Sequence, residues 1–139
     1  METKFNFKSQ ICTTREQSER LLALGLKKET ADMTIVGKYM GTDDDGAMVF
    51  EDVPTAYPPM LRKDIPAWSL HRLIEMMPVS LPCYIEGIQG LFSLTRRDDG
   101  SVTVGYTWSL ERTGNIYDAM ISAIEWLIKN EDFSNEYVA

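Results

Sequence analysis

Few residues of this chain could carry out nucleophilic or acid–base chemistry. The sequence contains one histidine, His71, and two cysteines, Cys12 and Cys83. A thiol beside an imidazole is the usual cysteine nucleophile with its base, but no local signature surrounds either cysteine. His71 and Glu75 are spaced i,i+4, which places them on one face of a helix. That spacing favours a surface pair over a catalytic base and its orienting carboxylate, so we predict no catalytic residue.

The patterns that bind metals and phosphates are also missing. Zinc sites take three or four Cys, His or carboxylate ligands, and the two cysteines lie far apart without C-x-x-C spacing. The acidic run of residues 43–45 before Gly46 suggests calcium, but it lacks the alternating ligands of an EF-hand loop. Asp and Gly are typical of tight turns, so the run predicts a turn. Because the chain has no phosphate-binding or nucleophile-elbow motif either, we expect no metal and no cofactor.

The charge of the chain argues against direct nucleic-acid binding. The 139 residues include 14 Lys and Arg against 21 Asp and Glu, which gives a net charge of −7. Binding to phosphates depends on clustered cations, whereas the cations here form scattered pairs: Lys27-Lys28, Arg62-Lys63 and Arg96-Arg97. An acidic face for a basic protein partner is one alternative use of the charge, and mimicry of DNA by carboxylates is another.

The N-terminus and the distribution of apolar residues predict a soluble cytoplasmic protein. The first residues, METK, lack the apolar core of a signal peptide, and no apolar run reaches the roughly 18–20 residues of a membrane span. Two isolated cysteines fit a reducing compartment. The length suits a single domain over residues 1–139, and 44% apolar residues suffice for an ordinary core.

Three segments with helical periodicity must position the polar residues. Thr13 with Glu16, or Thr14 with Gln17 in an alternative register, forms a capping box before the first helix. An apolar stripe marks the second helix, which ends before Pro78. The third helix has a broad apolar surface and a narrow polar stripe, so it must be mostly buried. The predicted helices are residues 14–24, residues 69–77 and the segment after the cap Asn115.

Alternating periodicity predicts the strands. Residues 34–40 and 47–50 flank the acidic turn as a hairpin, and a meander occupies residues 81–110. Residues 51–66 contain four prolines and predict a long irregular loop. The meander consists of residues 84–88, residues 91–96 and a strand with Val102, Val104, Tyr106 and Trp108 on its apolar face.

The element order α-β-β-α-β-β-β-α predicts an α+β fold. In this fold an antiparallel sheet, made of the hairpin and the three-stranded meander, packs against about three helices. We expect the last helix to cross the sheet as the central core element. Trp68, Trp108 and Trp126 lie beside apolar periodic segments, and we expect them to anchor the core rather than form a stacking platform.

Four strings of residues carry a resemblance to known sequences. They are DIPAWSL at 64–70, LIEMMP at 73–78, TTREQS at 13–18 and AIEWLI at 123–128. In these strings the chain resembles small uncharacterised proteins of Bacteroidales bacteria, which look like cargo of prophages or mobile elements. The similarity covers most of the chain and its strings carry no known chemistry, so it implies a genetic context and no activity.

The leading interpretation is a small non-enzymatic protein that binds another protein, as an accessory or regulatory factor of a mobile element. One alternative is an enzyme or small-ligand binder whose site is built from the 51–68 loop and the 69–77 helix. A second is an acidic DNA-mimicking inhibitor. We expect neither direct nucleic-acid binding nor membrane contact. The candidate partner or ligand surface consists of Tyr57, Met60, Trp68 and His71.

Overall fold

The computed structural model describes residues 9–82 and 86–139. These residues form an α+β fold with two antiparallel sheets and three α-helices, which confirms the predicted fold class. None of these helices is long and apolar enough to cross a membrane. The helices are α1, Arg15–Ala23; α2, Leu70–Met76; and α3, Ile116–Lys129.

The strands of the described residues divide into two sheets, so the hairpin and the meander do not share the single sheet that the sequence predicts. The first sheet has the strand order β2-β1-β3 and the second has the order β4-β5-β6-β7. All neighbouring strands pair antiparallel. The strands are β1, Met33–Thr42; β2, Met48–Thr55; β3, Ile65–Ala67; β4, Ser80–Pro82; β5, Gln89–Arg96; β6, Val102–Tyr106; and β7, Leu110–Gly114.

Several predicted strand boundaries are wrong. Residues 51–55 belong to β2 and residues 65–67 form β3, so the irregular segment shrinks to residues 56–64. The predicted strand over 84–88 lies partly outside the described residues, and residues 86–88 are not in a strand. Strands β3, β4 and β7 escaped prediction. Strands β3 and β4 have only three residues each, one of them a proline, and β7, LERTG, has no apolar alternation.

Strand β6 ends before Trp108, which contradicts the predicted core position of that side chain. Trp108 adopts a positive φ of 65° in a turn where the amide of Ser109 donates to the carbonyl of Tyr106 (3.0 Å). Its side chain is 60% exposed, whereas Val104 and Tyr106 face the core as predicted. Alternation along a strand predicts which face a residue occupies, but it does not reveal where the chain turns away.

Helix α3 is the centre of the main core, as its composition predicts. Asn115 caps its first turn, and one face packs on β6 and β7. The narrow polar stripe holds α1 alongside, because Asp118 accepts a hydrogen bond from Gln17 (2.8 Å) and Glu125 accepts one from Arg20 (3.1 Å). The side chains that α3 buries most completely are Met120, Ile121, Ala123, Ile124 and Leu127.

Helix α1 begins in the alternative register. The Thr14 hydroxyl accepts from the amide of Gln17 (3.2 Å), and the Gln17 side chain accepts from the amide of Thr14 (3.0 Å). The prediction of a capping box between Thr13 and Glu16 is therefore wrong. Thr13 is buried, and its hydroxyl accepts a hydrogen bond from the Trp68 amide instead (3.0 Å). A tertiary contact thus uses the hydroxyl that local spacing assigns to the cap.

Candidate functional site

The hairpin of β1 and β2 extends beyond the rest of the described fold. Strand β3 pairs only with residues 33–35 at the start of β1. From residue 36 to residue 52, all residues but Gly41 are exposed. We name residues 36–53 the hairpin arm. A two-stranded ribbon is at best marginally stable alone in water, so this arm needs support from a base or a partner.

The hairpin arm concentrates exposed apolar side chains. Tyr39 and Phe50 are cross-strand neighbours in T-shaped contact, with 5.8 Å between ring centroids, and both are mostly exposed. Single apolar residues are normal on protein surfaces, but a contiguous set marks an interaction site. The exposed large apolar side chains of the arm are Val36, Tyr39, Met40, Met48, Val49 and Phe50.

Both faces of the hairpin arm are apolar. Tyr39 and Phe50 lie on one face, and Val36 and Val53, three residues away along each strand, lie on the other. The register shifts between residues 39 and 41, which leaves Met40 as the extra residue of a β-bulge. Bulges bend a strand and redirect side chains. A partner can therefore contact the arm from either side.

The tip of the hairpin arm is acidic. The Asp43 carboxylate accepts hydrogen bonds from the amides of Asp45 (2.9 Å) and Ala47 (2.8 Å). This contact confirms the predicted turn. Together with Asp44, the tip exposes three carboxyl side chains to solvent. No group of three or more potential metal ligands occurs within residues 9–82 and 86–139.

An ion pair connects the hairpin arm to α1. The Arg15 guanidinium donates to both carboxylate oxygens of Asp52, at 2.6 and 2.9 Å. These hydrogen bonds, and secondarily the positive charge, hold the pKa of Asp52 below its usual value. Both side chains are partly exposed, and such pairs contribute at most about 1 kcal/mol. The pair therefore orients the arm more than it stabilises the fold.

Replacing Arg15 by glutamine is expected to raise the pKa of Asp52 toward the ordinary value of about 3.9. Because the folded-state pKa of Asp52 is depressed, the ion pair stabilises the wild type at pH values above the ordinary pKa of the carboxyl group. This stabilisation is lost as the pH falls through the folded-state pKa. Carboxyl-carbon NMR titration measures both values. Asp99, whose pKa is lowered by Ser101, is the internal control. An unchanged pKa of Asp52 in the variant would contradict the ion pair.

The segment after β2 forms an ordered loop at the root of the arm. We name residues 56–64 the base loop. Asp64 accepts hydrogen bonds from the amides of Met60 (3.0 Å) and Leu61 (2.8 Å). The Lys28 ammonium donates to the carbonyls of Leu61 (2.9 Å) and Arg62 (2.7 Å). These contacts fix the loop against the segment that follows α1.

Two cation pairs lie on neighbouring segments at the base loop. The contacts of Lys28 with the carbonyls of Leu61 and Arg62 place the segment of Lys27-Lys28 beside the segment of Arg62-Lys63. Hydrogen bonds from the loop amides lower the pKa of Asp64, and the nearby charges of Lys28 and Lys63 add to this effect. The root of the arm thus carries four basic residues, and the same two segments contain three acidic residues, Glu29, Asp32 and Asp64.

The structure separates the four residues of the predicted candidate surface. Tyr57 and Met60 are 40% and 78% exposed in the base loop. Trp68 is fully buried in the main core, so it belongs to no surface. His71 is exposed on α2, where its Nε2 lies 3.2 Å from Glu75 Oε1, and this confirms the predicted surface pair. The predicted 51–68 loop is also shorter than expected, because residues 51–55 belong to β2 and residues 65–67 form β3.

Cys12 has a packing role in the described structure. It is buried in a small cluster at the start of the first sheet with Met33, Ile35 and Ala67. Burial raises the pKa of its thiol, and the carboxylate of Asp32 adds to this effect. A thiol with a raised pKa is a weak nucleophile at neutral pH. Cys83, the other cysteine that could form a dyad with His71, lies outside the described residues.

The sequence analysis missed the hairpin arm as a surface. Apolar strands normally pack against a core, so residues 34–40 and 47–50 predicted only a hairpin. A signal was nevertheless present in the runs Tyr39-Met40 and Met48-Val49-Phe50. Consecutive apolar residues in a strand occupy both faces, and a chain of this size has few elements left to cover both.

No family model, curated protein or solved structure matches the chain. The hairpin arm and the base loop are therefore the features from which a function can be inferred. The arm offers an apolar ribbon with an acidic tip, and the base loop offers a cationic root with exposed apolar side chains. These features are suited to binding a macromolecular surface, because interface cores are apolar and their charged rims select the partner.

Proposed function

We propose that this protein is a non-enzymatic protein-binding factor and that the hairpin arm is its recognition element. The observation that carries the proposal is the set of six large exposed apolar side chains on a ribbon that no other described element covers. Burying apolar surface gains about 25 cal/mol per Å². A partner that covers the arm would therefore stabilise a ribbon that is marginal in water.

The setting of this activity is part of the same proposal. The resemblance to cargo of prophages or mobile elements supports a role as an accessory or regulatory factor of such an element. Cys12 is a free thiol, which fits the reducing cytoplasm. The acidic tip favours a partner surface with positive charge, since complementary charges speed association and exclude wrong partners.

Affinity capture from a lysate of the native host, with quantitative mass spectrometry at near-physiological salt, tests the proposal. The double variant Tyr39→Ser/Phe50→Ser is expected to retain a specific partner at least about tenfold less than the wild type, because aromatic side chains dominate interface energetics. The matched control, Val79→Ser/Leu91→Ser, removes exposed apolar side chains outside the arm and should retain the partner.

Two outcomes would argue against protein binding through the arm. One is that the wild type recovers no specific partner, neither a host protein nor another copy of this chain. The other is equal loss of the partner in both double variants, which would indicate a general effect of lower surface hydrophobicity. Circular dichroism and thermal unfolding of each variant establish that the fold is intact, as expected for substitutions at exposed positions.

A further inference from the structure

We infer that a second copy of this chain covers the hairpin arm. A two-fold axis relates the two copies and sets the acidic tip of each copy against the basic root of the other. This inference rests on the proposed function, because it names the partner of the same surface. It predicts a closed homodimer in which the two arms run antiparallel.

Opposite charges are separated along the arm. The tip exposes Asp43, Asp44 and Asp45, and the root carries the cation pairs Lys27-Lys28 and Arg62-Lys63. The extended strand from residue 35 to residue 42 spans roughly 23 Å at about 3.3 Å per residue. Screening at physiological ionic strength acts over about 8 Å. The two ends of one arm therefore cannot neutralise each other within a single copy.

Two-fold symmetry brings the oppositely charged ends of two arms together. When two arms run antiparallel about a two-fold axis through their middle, the tip of each reaches the root of the other. The axis repeats every contact, so the interface is self-complementary and closes at two copies. Arms running parallel would bring the two acidic tips together, and like charges in contact are unfavourable. The charge pattern thus selects the antiparallel arrangement.

The middle of the arm is compatible with this arrangement. Asp52 is paired with Arg15 at 2.6 Å, and Glu51 lies directly opposite Lys38 in the strand register. Each acidic side chain near the axis therefore faces a cation of its own copy. Contacts across the middle of the interface would come mainly from apolar side chains, and these are exposed on both faces of the arm.

The arm and the base loop offer a surface for a small interface. A standard stable interface involves about 20–30 residues on each side. The hairpin arm and the base loop comprise residues 36–53 and 56–64, and one contacting face includes only part of them, which places the interface at the small end of that range. The outer edge of β2 pairs with no other strand of the described residues, and such edges are aggregation sites unless they are covered. A closed dimer covers both the apolar side chains of the arm and this strand edge.

Charge reversal tests the inference through the mass and the dissociation constant of the complex in solution. We expect the wild type to sediment as a dimer of the 15.8 kDa chain in the micromolar range. The tip variant is Asp44→Lys/Asp45→Lys, which keeps Asp43 because its carboxylate holds the turn. The base variant is Arg62→Glu/Lys63→Glu, which keeps Lys28 because it holds the base loop.

Each reversed variant alone is expected to have a dissociation constant at least about tenfold above that of the wild type, since both tip–base contacts become repulsive. An equimolar mixture of the two should recover wild-type affinity. In the mixed dimer the reversed tip meets the reversed base, and the native tip meets the native base. The control Arg96→Glu/Arg97→Glu reverses a cation pair at the other sheet and should leave the dimer unchanged.

The outcomes separate this inference from the proposed function. A wild type that remains monomeric, while the arm still captures a host protein, overturns the homodimer and leaves protein binding standing. A wild-type dimer whose reversed variants do not recover on mixing also overturns the inference, because the dimer then uses another surface. A monomer that captures nothing contradicts both proposals. Dimerisation of the mixture alone, with each variant monomeric, supports the tip–base contact.

Discussion

Replacing Trp68 by alanine is expected to lower the free energy of unfolding by about 3–5 kcal/mol. The Trp68 side chain is fully buried in the main core, so truncation leaves a cavity among helices and strands that cannot fully collapse. The indole N–H also donates to the Thr30 hydroxyl (2.9 Å), and this hydrogen bond would be lost. Urea denaturation followed by far-UV circular dichroism measures the change.

Two variants act as controls for the Trp68 prediction. Trp68→Phe keeps most of the apolar volume and loses the indole hydrogen bond, so we expect a smaller loss than with alanine. Trp108→Ala removes the same type of side chain from a position where it is 60% exposed, and its cost should be well below that of Trp68→Ala. Equal losses at the two tryptophans would contradict the assignment of Trp68 to the core.

Replacing Gly105 by alanine is expected to destabilise the protein by about 3 kcal/mol, at the upper end of the range for overpacking. Gly105 lies in β6 against the neighbouring strand β7. An added Cβ would overlap the carbonyl oxygen of Leu110 and lie 2.8 Å from its carbonyl carbon. These are backbone atoms and cannot rotate away. Relief requires β6 and β7 to separate, which would disturb the surface on which α3 packs.

Gly37→Ala is the matched control, because Gly37 is also a glycine within a strand. Its added Cβ would lie 3.8 Å from the Phe50 side chain, which is an ordinary van der Waals distance. We expect a change within about 0.5 kcal/mol by the same urea denaturation. If both variants lost equal stability, replacement of a strand glycine in general, and not the close approach at Gly105, would be responsible.

In the proposed function, the hairpin arm provides specific recognition without a catalytic motif. Its apolar side chains and charged ends provide the two components of recognition, burial and charge complementarity. The two proposals make different demands on this surface. Protein binding requires only that the arm is accessible, whereas the homodimer also requires that tip and root match across a two-fold axis.

Local signals in the sequence predicted the helices well. The predicted second helix, residues 69–77, differs from α2 by one residue at each end, and Ser69 caps it. Asn115 caps α3 as predicted, and the acidic run forms the hairpin turn. Capping, helical periodicity and turn formation depend on residues within one or two turns of each other. Such features can be read from the sequence without knowledge of the fold.

Features that depend on distant partners could not be predicted in this way. Thr13 loses its capping role to a contact with Trp68, which is remote in sequence. Strand β3 exists because three residues pair with the start of β1. The segments of residues 27–28 and 62–63 are neighbours because Lys28 contacts the carbonyls of the base loop. Each of these outcomes depends on which elements become neighbours.

The sequence by itself determined the α+β class, the helices with their caps, the apolar composition of the hairpin and the net charge of −7. Only the tertiary structure decided which apolar residues are buried and where opposite charges meet. The physical reason is that a side chain becomes buried only when a second surface covers it, and a single segment of sequence does not say which surface that will be. The last helix packs against a sheet, whereas the apolar side chains of the hairpin arm stay exposed and form the surface on which both proposals rest.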